Sequence, residues 1–346
     1  MSAKTLKAEA WALYDALIAR ASTSDYTNPW HRTDDGRLEY RPDFDTLRRL
    51  LGVPLLLKAT SQSGVPALAL DVWTAYELRR AGFAPDLVWP RAEPPRILPS
   101  TLVALRELAT VKQRKVLDEM LASGKTYKNE TGASANILGK NYVKQVDVVM
   151  SAWNTGPEIM ISTKRMDSSF GKNAANRVEE SYGDAKNLRS RHPQAALGFV
   201  YGLRSTALSE QNVATAEWII DLLGKLGRED DAYDAVALLI PEWPDGDSAA
   251  TEDDDEDDEN PLVAAGVEPA TEGEDEQLPL ELPASELDQR LAELPDVALR
   301  TDAVPRHLSP DVFFATVVNR VLDNCPITFH TEARRRRREP VAAPPR

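Results

Sequence analysis

The chain has 346 residues, 42% of them hydrophobic, with one cysteine and a formal net charge of −14. Length and apolar content suffice for real cores and suggest about two domains of ordinary size. A lone Cys325 excludes a disulfide framework and a cysteine-built zinc site. No run approaches the 18 apolar residues of a membrane span, and the start, Met1 to Thr5, lacks the apolar core of a secretion signal. A soluble, cytoplasmic protein with no membrane partner is expected.

The charge is unevenly placed. Between Asp245 and Asp288 stand 18 Asp and Glu and no Lys or Arg, and removing them from −14 leaves +4. The rest of the chain is mildly basic and compatible with a polyanionic partner.

In chain order, residues 8–21 form an amphipathic pattern with Trp11, Leu13, Tyr14, Leu17 and Ile18 on one face. A polar stretch, 22–35, separates it from a second helical pattern over 43–51 (Phe44, Leu47, Leu50, Leu51). A third covers 71–81 and is ended by Gly82. The segment 83–99 contains Pro85, Pro90, Pro94, Pro95 and Pro99 and reads as a linker or strap. A mainly helical N-terminal domain is therefore expected over 1–95, serving target choice or partner contacts. Trp30, Trp73 and Trp89 are its candidate stacking or packing residues, with core packing favoured for Trp73.

A long helical pattern follows over 101–123, with Ser100 and Gly124 placed to cap it. The period then shortens. Residues 142–153 and 158–166 are rich in Val, Ile and Met and flank Asn154-Thr155-Gly156-Pro157, which predicts a β-hairpin. Helix returns over 173–190 and stops at His192-Pro193. The apolar run 195–203 suits a buried strand, and 213–226 and 231–239 read as helices. The result is an α/β core over 100–240 in the order helix, hairpin, helix, strand, helix. Residues 245–288 are too acidic and too poor in apolar residues to offset their chain entropy, so a disordered insertion is expected. A C-terminal helical part, 289–330, packs on the core through an amphipathic helix over 311–323. An Arg-rich tail, 331–346, contains Arg334 to Arg338.

The chemistry concentrates in the hairpin. Asp147 opens a strand that is otherwise apolar, and Ser162 and Lys164 share one face of the partner strand. A carboxylate and an ammonium converging at the rim of a small sheet suit a divalent ion and an activated water. The basic, glycine-containing loop Arg165-Met166-Asp167-Ser168-Ser169-Phe170-Gly171-Lys172-Asn173 precedes a helix N-terminus, where N–H groups favour phosphate. The helix continues with Arg177, a candidate backbone contact.

In this order of elements, with Asp147 on the first strand and Ser162-Thr163-Lys164 on the second, the chain resembles the PD-(D/E)XK nuclease superfamily. The resemblance covers about 100–210 and implies a restriction-endonuclease-like core. In that family an acid occupies the place of Ser162. Glu158 stands six residues from Lys164, roughly 20 Å along a strand at about 3.3 Å per residue, too far for one site. A branch of the superfamily carries Ser-x-Lys and moves the glutamate to the next helix, where Glu179 and Glu180 stand here. The two lie about 100° apart on that helix, and either could serve. Glu119 is a weaker candidate on the preceding helix.

The resemblance implies Asp147 and Glu179 or Glu180 as ligands for Mg²⁺, with Mn²⁺ able to substitute. Lys164 would position the water, Ser162 would shape the site, and Arg165, Ser168, Ser169, Lys172, Asn173 and Arg177 would contact nucleic acid. It further implies a homodimer acting on double-stranded DNA in defence against foreign DNA, with a methyltransferase or other defence-system partner. The plain account makes Asp147 a strand-edge residue and Lys164 a surface lysine. Two other readings stand beside the nuclease: a non-catalytic nucleic-acid-binding or assembly subunit with a degenerate site, and a helical interaction protein. The four histidines show no partner spacing, and neither a GxxxxGK[ST] loop nor a G-x-S-x-G elbow is present.

Overall fold

The structure, a computed structural model, describes residues 3–22, 26–122, 135–171, 174–244 and 282–341. Helix α1 (Ala3–Ala21) buries Leu13, Tyr14, Leu17 and Ile18. The polar stretch after it ends in an antiparallel pair, β1 (Trp30–Arg32) and β2 (Leu38–Tyr40), whose strands are too short to show a period in sequence. Helix α2 (Phe44–Leu56) starts where the Asp43 carboxylate accepts from the Thr46 N–H at 2.9 Å and the Thr46 hydroxyl at 2.8 Å. That bond satisfies one of the donors a first helical turn leaves unpaired. Helix α3 (Val65–Arg80) begins earlier than predicted, with Pro66 in its first turn, a position where proline lacks only an N–H the helix does not use.

The proline-rich segment is more than a strap: it supplies β3 (Val88–Trp89), an edge strand of the main sheet. The helix expected over 101–123 is two, α4 (Ser100–Leu108) and α5 (Val111–Ala122). At Thr110 the backbone N–H and the hydroxyl both donate to Gln113 Oε1, at 3.0 and 2.7 Å, which caps a new helix. The apolar positions that made the stretch look continuous, Leu105, Leu108, Val111, Val116 and Met120, are exposed.

The strand expected over 142–153 breaks at Asp147. Strand β5 (Val143–Val146) pairs with β4 (Ala135–Leu138), while β6 (Val148–Ala152) lies antiparallel to both β3 and β7 (Gly156–Met166). After β7 come α6 (Ala174–Arg191), β8 (Ala196–Leu203), α7 (Val213–Leu226) and β9 (Ala235–Leu239), and β7, β8 and β9 are parallel neighbours. The sheet is thus mixed and five-stranded, in the order β3-β6-β7-β8-β9. Strand β9 corrects the helix expected over 231–239. All five of its residues are buried, and a run covered on both faces is apolar throughout and shows no alternation.

Strand β10 (Pro241–Glu242) pairs with β11 (Ala298–Leu299). Helix α8 (Ala284–Ala292) takes in the last residues of the segment expected to be a disordered insertion; residues 245–281 of that segment lie outside those described. Helix α9 (Pro310–Asn324) buries Phe313, Phe314, Val317, Val318, Val321 and Leu322. At roughly 1.5–3 kcal/mol per buried side chain, against about 0–1 kcal/mol for an exposed ion pair, packing is what seats it. The five-arginine run is no solvated tail but part of helix α10 (Thr331–Arg338). Arg336 is buried and donates to the carbonyls of Tyr26 and of Arg80.

The chain is α/β, with helices on both faces of the sheet. On one face Val148, Met150, Ile159, Ile161 and Val200 share a cluster with residues of α1, α2, α3 and α9, including Trp73 and Phe314, and with Trp30 of β1 and Tyr40 of β2. On the other, Val149, Met160, Leu197, Phe199 and Tyr201 pack with Ala185 and Leu188 of α6 and Ile219 and Leu223 of α7. Helices α1, α2 and α3 therefore pack directly on the sheet, and Trp30 and Trp73 are core residues. Among the described residues no helix is long and apolar enough to cross a membrane.

Candidate active site

Strand β7 is pleated, so Ser162 and Lys164 face α6 and α7 with Met160 and Met166, while Thr163 and Arg165 face the N-terminal helices with Ile159 and Ile161. Val148 is paired with Ile161, which sets Asp147 level with Ser162 where the chain passes from the β4–β5 pair into the main sheet. At that break the Thr163 N–H donates to Asp147 Oδ2 at 2.7 Å. The Thr163 hydroxyl donates to Oδ1 of Asp71, which reaches the sheet from α3. Two carboxylates from distant parts of the chain are thereby fastened to one residue.

Their electrostatics follow. Burial pushes the Asp71 carboxyl well above the usual carboxylate range, and the neighbouring charge of Asp147 pushes it further; the Thr163 bond, Lys7 and Lys164 act in the opposite direction. Asp147 and Lys164 are thus both within electrostatic reach of Asp71. Asp71 was not legible as a site residue: the expected third helix merely began there. Its signal was an acid set into the apolar stretch Leu68-Ala69-Leu70-Asp71-Val72-Trp73.

Ser162 stands in the expected place but is buried, and its hydroxyl bonds that of Tyr233, which donates to the Ser181 carbonyl at 3.1 Å. It fastens β7 to α6. Burial, with Asp184 next, raises the Tyr233 phenol above its ordinary value, so it stays protonated as a donor.

Glu179 and Glu180 are exposed near the start of α6. Residues three or four apart share a helix flank, so Glu180 is aligned with Asp184 and Asn187. That flank faces β5 and the turn before it: Asp184 accepts from the Tyr142 hydroxyl and the Lys144 ammonium, both at 2.9 Å, and Asn187 Oδ1 accepts from the Asn141 N–H at 2.8 Å. Glu179 is aligned with exposed Gly183 and Lys186. Neither glutamate joins the Asp71–Asp147 pair: among the described residues, the group of three His, Cys, Asp or Glu donors within 4.8 Å of one another lies elsewhere. Glu119 is exposed on α5.

The expected nucleic-acid contacts divide. Arg165 corrects its assignment: its side chain is buried, paired with Asp167 at 2.8 Å, bonded to the Pro66 carbonyl at 3.2 Å and stacked on Trp243. As the odd-numbered neighbour of Lys164 on β7, it points into the N-terminal helices. Ser168 and Ser169 line an open cavity of about 510 Å³ with Gly171, Arg204 and Asn212. Lys172, Asn173 and the side chain of Arg177 lie outside the described residues.

The donors of the pair are of the type a hard divalent cation takes. All are oxygens, and each carboxylate offers about four lone-pair sites, more than Thr163 uses. The charge of Asp147 acts on Asp71, a repulsion of the kind that a dication relieves. Comparison with protein-family models, curated proteins and solved structures finds no match for this chain.

Proposed function

We propose that the chain is a Mg²⁺-dependent DNA endonuclease with a restriction-endonuclease-like core, acting on double-stranded DNA in defence against foreign DNA. The observation that carries this reading is the pair of carboxylates on Thr163, with Lys164 within electrostatic reach of Asp71, where a β-hairpin enters a parallel sheet. The order of helix, hairpin, helix and strand supports it, as does the mildly basic charge outside 245–288.

Asp71 and Asp147 would hold the cation, which, when bound, supplies positive charge at the scissile phosphate and lowers the pKa of a bound water. Thr163 fixes the spacing of the two carboxylates. The Lys164 ammonium orients the attacking water and offsets charge on the phosphate oxygens. The water oxygen forms the new bond to phosphorus and gives up one proton to solvent, the opposite ester oxygen leaves, and that leaving oxygen takes a proton from solvent. Of the two glutamates, Glu180 shares the α6 flank that faces β5, and it would be the one to complete the ligand set. Double-strand cutting uses two such corners, so a homodimer belongs to the same proposal, as does Mn²⁺ as a substitute ion.

The test is incubation of the pure protein with plasmid and Mg²⁺, repeated for Asp147→Ala and Lys164→Ala. Nicking or linearisation by the wild type that both substitutions abolish is expected. Cutting that survives both would sink the assignment. DNA binding without cutting in any condition would point instead to an assembly subunit.

A further inference from the structure

At the other end of β7 three side chains of different chemistry converge. Glu158 lies near the start of the strand, Cys325 follows the last residue of α9, and His330 precedes α10 with φ +52. Cys325 Sγ is 3.0 Å and His330 Nε2 2.9 Å from the same oxygen, Glu158 Oε1, and one donor atom from each residue lies within 4.8 Å of the others. The Thr155 hydroxyl donates to the second carboxylate oxygen at 3.0 Å. The loop carrying the thiol and the imidazole is pinned by Arg334, which donates to the carbonyls of Cys325 at 2.7 Å and Phe329 at 3.0 Å. The side chains of His330 and Glu158 are only 6% and 7% exposed. Beside them a cavity of about 670 Å³ opens between Thr155, Thr328, Phe329 and Arg335.

A thiolate, an imidazole and a carboxylate form a donor set for Zn²⁺ and its neighbours, not for Mg²⁺. The thiol and the ring nitrogen both meet one carboxylate oxygen; a dication at their centre would engage all three donors, with the thiol proton released to solvent. Burial, then the bond to Glu158, pushes the Cys325 thiol up to about 12, and a cation at the sulfur outweighs both effects and removes the proton.

We propose that Glu158, Cys325 and His330 bind one Zn²⁺-type cation that staples the α9–α10 loop to β7, with a fourth coordination position facing the cavity. Six residues at about 3.3 Å each separate Glu158 from Lys164 along the strand. The site is therefore distinct from the Asp71–Asp147 corner and independent of the function proposed for it.

Cys325 is the one cysteine in the chain, so a thiolate–metal signal reports this site alone. Full-length protein freed of metal by chelator is titrated with Co²⁺. Expected are a thiolate-to-Co²⁺ charge-transfer band, saturation at one ion per chain, displacement by Zn²⁺ and no displacement by Mg²⁺. Cys325→Ser removes the band, and Glu158→Gln weakens binding at least tenfold. Zn²⁺ also slows the reaction of Cys325 with a thiol reagent at least tenfold in the wild type, a readout that needs no variant to fold. A wild-type titration without the charge-transfer band, or thiol reactivity unchanged by Zn²⁺, overturns the proposal.

Discussion

Asp71 of α3 and Asp147 at the β5–β6 break hold the same residue from two sides, one on the hydroxyl and one on the backbone N–H of Thr163. The arrangement ties the N-terminal helices to the hairpin within electrostatic reach of Lys164.

Asp71→Asn should change how stability depends on pH. A carboxyl whose folded-state pKa is raised keeps its proton in the folded state after the unfolded chain has released it. The stability it contributes is fully present below the unfolded value near 3.8 and is lost as pH rises through the folded value. In chelator, urea denaturation from pH 4 upward should show the wild type losing stability relative to Asp71→Asn, since asparagine still accepts from Thr163 without the charge. Parallel profiles would contradict this placement.

Glu77 tests the buried polar core between α3 and the N-terminal hairpin. It accepts from Arg80 at 2.8 Å, the Tyr40 hydroxyl at 3.0 Å and the Asp43 N–H at 2.7 Å, and its side chain is wholly buried. Glu77→Ala leaves Arg80 buried without its partner and should cost about 3–5 kcal/mol. Asp45→Ala, which removes an exposed partner of Arg48, should cost under about 0.5 kcal/mol in the same denaturation assay.

Two glycines should respond oppositely to alanine. A Cβ at Gly198 would stand 2.7 Å from Phe313 Cζ and 3.0 Å from Ile161 Cγ1, so Gly198→Ala should destabilise by about 1–3 kcal/mol through overpacking of α9 on β8. Gly183 lies inside α6 with nothing within 4 Å of an added Cβ, and Gly183→Ala should stabilise by about 0.5–1 kcal/mol. Midpoints of thermal unfolding distinguish the two signs.

If the proposed cleavage holds, Glu180→Ala should lower the nicking rate at least tenfold, while Glu179→Ala should change it less than twofold. Only Glu180 is aligned with Asp184 and Asn187 on the flank facing β5. Equal effects would mean that α6 does not approach the corner by this flank.

Helices with one apolar stripe, such as α2 and α9, were legible because their buried positions recur at helical spacing, and the hairpin because Asn154-Thr155-Gly156-Pro157 separates two apolar runs. Strand β9 was not, since a segment buried on both faces has no period to read. Nor was the break at Thr110, where one side-chain cap overrides a continuous apolar pattern. Asp147, Ser162 and Lys164 could be picked out from the pleat and the order of elements. Asp71 could not, because its role depends on α3 packing over β7. The Glu158–Cys325–His330 group was equally hidden: its members are separated by up to 172 positions in the chain and meet only because α9 lies across the sheet.

Cleavage as proposed depends on the Asp71–Asp147 corner taking a divalent cation. Calorimetric titration of Mg²⁺ into wild type, Asp71→Asn and Asp147→Asn tests it directly, since Mg²⁺ avoids the sulfur- and nitrogen-bearing site. Saturable heat is expected in the wild type, with an affinity that falls at least tenfold on either substitution. Heats that are indistinguishable among the three proteins would contradict it.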